Sequence, residues 1–278
     1  MSFRGYHEVT GADRSGLGAQ VAAQGQRVAD RLRSVRSVVA VVSGKGGVGK
    51  TFLTAALARG AARRHSRIGV LDADLKSPTA ARALGATGPL RIDEEGVHPA
   101  VCESGIRVIS SDLLLDEGAP LRWTGPQGSG HEFVWRGTLE TAALRELLSD
   151  VAWGELDLLL VDMPPDADRL ADLTALVPSL RGALFITIPS DESRRSVERA
   201  MRAAVESGIP VLGVVENMSG YLCPDCGETR PLFGGGAGEA LAAAFGAPLM
   251  GRIPFSTHAA ALEVPLGSLV QSFLAVVP

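Results

Sequence analysis

Residues 37–51 read "SVVAVVSGKGGVGKT", and this stretch decides the fold. Its first half is a short β-branched run without polar alternation, which suits a strand covered on both faces, as in a parallel sheet. Its second half, "GKGGVGKT" at 44–51, satisfies G-x-x-x-x-G-K-[ST]. The glycines at both ends, Gly44 and Gly49, let the backbone curl so that its N–H groups point at phosphate oxygens. The cradle comprises Gly44, Lys45, Gly46, Gly47, Val48, Gly49, Lys50 and Thr51, with Phe52 in the helix behind it. Lys50 brings positive charge to the β- and γ-phosphates, and Thr51 offers a hydroxyl to Mg²⁺. The following helix presents its positive end to the same place.

Outward from this loop the texture repeats. "RIGVLDA" (67–73), "LDLLLVDM" (156–163), "GALFITIP" (182–189) and "IPVLGVVEN" (209–217) are further short apolar runs. Between them lie helix-forming stretches such as "KTFLTAALARGAARRH" (50–65) and "SRRSVERAMRAAVESG" (193–208). The alternation predicts a doubly wound, mainly parallel α/β sheet flanked by helices. Ligands in such sheets sit at the carboxyl ends of the strands, so the residues closing each strand carry the function. One strand ends in "LDADLKSP", where Asp72 and Asp74 are placed to hold Mg²⁺ through water or to orient an attacking water. Another ends in "LLLVDMPP", where Asp162 suits a carboxylate of the Mg²⁺ shell. Pro164 and Pro165 then turn the chain out of the sheet, giving a loop placed to sense the γ-phosphate. In "VVENMSG", Asn217 carries the acceptor and donors that match the N6 and N7 edge of adenine. Pro254, in "GRIPF", is expected to close over the base.

A second signal lies in "GYLCPDCGETRP", residues 220–231, where Cys223 and Cys226 have metal-ligand spacing on a turn made by Pro224 and Gly227. A thiolate site for zinc or an iron–sulfur cluster wants about four ligands. One chain owns a single such pair, so a two-fold axis joining two copies would supply four thiolates. Zinc on the same sulfurs, or on the two cysteines with histidines, remains an alternative, because ligand softness does not separate the two metals. A redox dithiol fits less well, since such a pair normally opens a helix within a βαβ unit. Cys102 reads as a small core residue, and the histidines show no ligand spacing.

The bulk numbers bound the rest. The chain has 278 residues, 46% of them hydrophobic, and a formal net charge of −4. That predicts one large domain over 37–278 behind an N-terminal helical extension at 1–36. In the extension Val21, Val28, Leu32 and Val35 fall near one helical face. The slight acidity argues against nucleic acid as a partner. The 3 cysteines point to a reducing compartment rather than a disulfide framework. No apolar run reaches the ~18 residues of a membrane span, and the first residues lack a secretory h-region. A soluble cytoplasmic protein with no membrane partner is expected. Residues 113–134, rich in Gly and Pro, predict an exposed loop.

Lys45 adds a specific feature. The form "GKGGVGKT" resembles the deviant Walker A loop of the family that includes MinD, ParA, the nitrogenase iron protein and the Mrp/ApbC carriers. "SGKGGVGKT", "LDADLKSP", "WRG" (135–137), "WGELDLLLVDMPP", "PVLGVVENMSGYLCPDCG", "FGGG" (233–236) and "GRIP" follow in order. From residue 37 to about 267 the chain resembles an Mrp/ApbC-type iron–sulfur cluster carrier ATPase. The resemblance implies a P-loop NTPase fold and a homodimer binding ATP, Mg²⁺ and a bridging [4Fe–4S] cluster. Apo iron–sulfur proteins and cluster scaffold proteins would be its partners. It further implies that Lys45 reaches the partner's nucleotide, that Asp74 positions water with Lys50 stabilising charge, and that Cys223 and Cys226 hold half the cluster. Departures from the family pattern predict slow hydrolysis. Asp166, Ala167, Asp168 and Arg169 replace Gly-Thr-Gly-Asp, Lys76 and Ser77 replace Tyr-Gly, and Phe52 replaces a hydroxyl residue. A MinD/ParA-like positioning ATPase would want a basic amphipathic tail, whereas the last residues are "PLGSLVQSFLAVVP". A relative of the nitrogenase iron protein would have its ligand cysteines far apart in sequence. A nucleotide-binding scaffold with structural zinc is the remaining alternative.

Overall fold

The structure is a computed structural model that describes residues 17–64, 66–113, 132–165, 168–177 and 179–277. Most of the loop expected at 113–134, and Asp166 and Ala167 of the switch segment, lie outside the described residues.

Strand β1 (Val38–Ser43) is buried along its whole length. It pairs in parallel with β7 (Leu158–Asp162) on one side and β8 (Leu180–Thr187) on the other. Beyond β7 come β2 (Ile68–Asp72), β6 (Arg107–Ile109) and the antiparallel edge strand β5 (Ala100–Val101). Beyond β8 comes β9 (Val211–Leu222), which pairs in parallel with β11 (Leu249–Phe255) and antiparallel with β10 (Thr229–Arg230). A separate hairpin joins β3 (Arg91–Asp93) and β4 (Gly96–His98).

Side chains of β1 alternate between two cores, as the period of two requires. Val38, Ala40 and Val42 face one core, Val39 and Val41 the other. The first core takes Val28 and Leu32 of α1 (Leu17–Leu32), Leu148 of α4 (Glu132–Asp150) and Leu173 of α5 (Asp168–Leu176). Met201 of α6 (Asp191–Glu206) and Leu241 of α7 (Ala237–Phe245) complete it. The second holds Leu53 and Leu57 of α2 (Lys50–Ala62), Leu84 of α3 (Ala80–Leu84) and Phe273 of α8 (Glu263–Val276). Helices therefore cover both faces, and the expected architecture stands.

Three features differ from the sequence expectation or add to it. The expected extension is integral in its described part. Val28 and Leu32 are buried in the first core, α1 packs on α4, and Val35 bridges Leu156 beside β7. Strands β6, β10 and β11 are too short or too interrupted to read as apolar runs. In β11, Pro254 is tolerated because that strand is paired on one side only, with β9. Finally, Ala259–Val276 is long and apolar enough to cross a membrane by length and composition. That corrects the expectation that no segment reaches this length. Leu269, Val270 and Phe273 of this segment are buried in the second core, against α2 and β11.

Candidate functional site

The P-loop leaves β1 at Ser43 and enters α2 at Lys50. Gly47 (φ 77°) and Gly49 (φ 81°) adopt the left-handed conformation that side-chain-bearing residues avoid. No side chain caps α2, which leaves the first-turn N–H groups for an anion. Gly44 is needed for a second reason. A Cβ there would stand 2.6 Å from the backbone of Ser196 and Val197, so α6 lies directly against the loop. Ser196 Oγ donates to the Gly44 carbonyl at 2.5 Å, tying the two together.

Under the loop, charges are buried in one cluster. Lys50 Nζ lies 2.7 Å from Asp162 Oδ1, with both side chains nearly inaccessible. Thr51 Oγ1 donates to Asp162 Oδ2 at 2.6 Å, and Thr54 Oγ1 donates to Asp162 Oδ1 at 2.9 Å. Thr54 went unnoticed in the sequence, although its place one turn after Lys50 is the signal that could have found it. The carboxylate of Asp162 thus gathers three donors from the first five residues of α2. Its oxygens and the Thr51 hydroxyl make an oxygen donor set of the kind that suits Mg²⁺.

Asp72 is the register partner of Asp162 on the adjacent strand. Its side chain is buried. Its oxygens accept the N–H groups of Asp74, Thr79 and Ala80 and the hydroxyl of Ser110. A short strand-to-helix connection forces this, because the first N–H groups of α3 need acceptors in a buried place. Burial first, and then the charge of Asp162, push the Asp72 carboxyl up to about 6. The folded chain therefore binds this proton from about pH 6 downward, the unfolded chain only near pH 4, so stability falls as pH rises between those values. Urea unfolding at about pH 4.5 and 7.5 should show the wild type losing about 2 kcal/mol more over that interval than Asp72→Asn. Equal slopes would contradict the assignment.

Asp74 is only partly buried and accepts the Ser77 N–H at 3.3 Å. With Lys76, Ser77, Pro164, Pro165 and Arg169 it lines a cleft of about 140 Å³. The departures at 76–77 and at 169, some ninety residues apart, meet in this one cleft. Arg169 donates to Thr141 Oγ1 at 2.9 Å and to Asp172 Oδ2 at 3.3 Å.

Lys45 extends from the loop with its Nζ 3.4 Å from Glu192 Oε2, and the pair is solvent-exposed. Phe52 is exposed as well. Asn217 is buried, and its Nδ2 donates to the Val48 carbonyl at 2.8 Å, so it also props the P-loop. Pro254 lines a cavity of about 640 Å³ with Glu216, Ser219, Gly235 and Arg252. Within it the buried Glu216 accepts the N–H of Gly238 and lies 3.6 Å from Arg252 Nε.

Cys223 and Cys226 occupy the tip of the β9–β10 hairpin. Cys223 N donates to Glu228 O and Gly227 N to Cys223 O, each at 2.9 Å, and Gly227 takes φ 72° to close the turn. Cys226 is exposed and Cys223 half-buried. The N–H groups of Cys226 and Asp225, then the Cys226 thiol, hold the Cys223 thiol below its ordinary range. A thiolate favoured in this way is the form that ligates soft metals. Strand β9 carries Asn217 under the P-loop and leads directly into Cys223, six residues on. Between them Met218 takes φ 52°, which is positive and uncommon for a side-chain-bearing residue.

The ParA family model described as NUBPL iron-transfer P-loop NTPase matches residues 34–264. The chain is 37% identical over 238 residues to the iron–sulfur cluster carrier protein of Saccharolobus solfataricus, covering 84% of this chain and 76% of that protein. It is 38% identical over 229 residues to the human cytosolic Fe-S cluster assembly factor NUBP2, covering 80% of each. Among solved structures it resembles a nucleotide-binding protein from Archaeoglobus fulgidus in complex with ADP. That match has TM-score 0.70 and 31% identity, covering 91% of this chain and 97% of that one. MinD of Pyrococcus furiosus shares the fold at TM-score 0.52 and 18% identity, over 87% and 99% of the two chains.

Proposed function

The chain belongs to the ParA/NUBPL family of iron-transfer P-loop NTPases, and from that membership we propose that it is an ATP-dependent carrier of iron–sulfur clusters. The observation that carries this reading is the single two-cysteine hairpin, built on the strand that also props the P-loop. One chain supplies two thiolates and a cluster asks for about four ligands, so the working form is a symmetric pair. A [4Fe–4S] cargo then lies on the two-fold axis, held by Cys223 and Cys226 of both copies.

ATP lies on residues 44–51. Lys50 meets the β- and γ-phosphates, and Thr51 and Asp162 hold Mg²⁺, which neutralises charge on the transferring phosphoryl group. Lys45 leaves Glu192 and reaches the partner's nucleotide, and Asp74 orients water. Hydrolysis is slow, because the segment after Pro165 lacks the glycines that let such a loop swing. Reorganisation of the shared face after hydrolysis exposes the cluster to apo-proteins and to scaffold proteins. The cytoplasm is the matching compartment, as the names of the cytosolic relatives indicate.

Anaerobic purification with sizing and metal analysis tests this. The expected result is a brown dimer holding about four irons per pair of chains, the content of one [4Fe–4S] cluster. A colourless zinc protein would favour the structural scaffold, and a monomer retaining its chromophore would end the symmetric assignment.

A further inference from the structure

A cavity of about 690 Å³ lies away from the P-loop, none of whose residues line it. Its walls include Arg107, the first residue of β6, and residues 152–154, which lead into β7. It therefore opens at the amino ends of the strands, the opposite edge from the nucleotide loop. No step of the carrier reading uses it.

Two arginines in its wall stand out by their partners. Arg31, near the end of α1, donates through Nε to the Ser149 carbonyl at 3.3 Å and through Nη2 to the Glu95 carbonyl. Arg107 donates through Nη1 to the carbonyls of Trp153 at 2.5 Å and Glu155 at 3.1 Å. Among the described residues neither guanidinium forms an ion pair with a carboxylate. Carbonyl groups fix the orientation of a guanidinium without cancelling its charge, and an arginine never deprotonates. Two of the nearby carboxylates are engaged by basic side chains: Asp30 pairs with Arg33 at 2.6 Å, and Asp93 lies 2.8 Å from the His98 ring. Glu95 is exposed, its carboxylate oxygen within 4.8 Å of the Asp93 oxygen and the His98 ring nitrogen. A third arginine, Arg91, stands at the rim and pairs with Asp93 at 3.4 Å. Leu90, Val101 and Ala152 give the same cavity apolar surface.

We propose that this cavity binds a small organic anion, with a carboxylate or phosphate head on Arg31 and Arg107 and an apolar body along Leu90 and Val101. Guanidinium forks match both head groups, and each charge-assisted bond is stronger than a neutral one. The site is independent of the cluster and of the nucleotide.

Trp153 lies in the cavity wall and supplies the readout. The chain has 3 tryptophans, and the indole ¹H–¹⁵N resonance of Trp153 is assigned as the one lost in Trp153→Phe. Inorganic phosphate, citrate, phenyl phosphate and phenylacetate are titrated at constant ionic strength, with Mg-ADP saturating the P-loop. The expected result is a saturable Trp153 shift with phenyl phosphate or phenylacetate, the better arm naming the head group. Arg107→Gln and Arg31→Gln should each weaken it by about tenfold, the loss of one charge-assisted bond. Should either variant misfold, Arg91→Gln carries the test at the rim, where a several-fold weakening is expected. No saturable shift with any probe, or equal binding by the variants, overturns the proposal.

Discussion

Cys223→Ala is expected to leave the purified protein without iron while its affinity for nucleotide stays as in the wild type, and Cys226→Ala is expected to do the same. The effect is large because the loss is doubled by symmetry: one substitution per chain removes two of four thiolates from the pair. A site left with two sulfurs no longer holds a four-ligand cluster. Nucleotide binding is spared for a geometric reason. The hairpin tip lies beyond the last residue of β9 that pairs with β8, Glu216, so its side chains do not reach the P-loop cluster. Iron and acid-labile sulfide on the anaerobic protein, beside ADP titration calorimetry, check both halves. Iron at wild-type stoichiometry in either variant would remove the two cysteines from the assignment. Loss of ADP binding would show that the hairpin supports the loop after all.

The second large effect belongs to Asp162→Ala. It leaves the Lys50 ammonium buried with its counter-charge gone, and it takes the carboxylate acceptor from Thr51 and from Thr54, which keeps only its bond to the Lys50 carbonyl. Breaking a buried pair from one side costs about 3–5 kcal/mol, enough to shift a urea midpoint plainly. Mg-ATP hydrolysis should fall below detection, since the metal's protein carboxylate goes with it. Pairing the change with Lys50→Met should recover much of the stability and none of the turnover, because the stranded charge is then removed as well. A double variant no more stable than the single one would mean that the cost comes from packing, not from charge.

The sheet and the P-loop were legible because each rests on a local pattern. Five apolar runs without alternation have few homes other than a covered parallel strand, and the glycine spacing around Lys50 states its backbone geometry outright. What stayed illegible depends on contacts between distant segments. Asp72 and Asp162 look alike in sequence, each closing an apolar run. The chain after Asp72 loops back to the start of α3, where the N–H groups of Thr79 and Ala80 claim its oxygens, while Asp162 faces the Lys50 ammonium of α2. Asn217 props the loop because Gly49, without a Cβ, lets an amide approach that closely. The CxxC spacing was plain, but the hairpin that carries it needed β10, a two-residue strand with no hydrophobic signature. The meeting of Lys76 and Arg169 in one cleft is a matter of topology, which brings the ends of β2 and β7 side by side.

The position of β1 has a consequence for biosynthesis. This strand is synthesised well before its neighbours on either side, β7 and β8. Until Thr187 has been translated, β1 has an open flank, and its hydrogen-bonding groups and apolar faces have no native cover on that side. Non-local parallel pairing of this kind forms slowly and is exposed to aggregation meanwhile. A nascent chain stalled before that point would carry every residue of the phosphate cradle and still lack the sheet that holds it in shape.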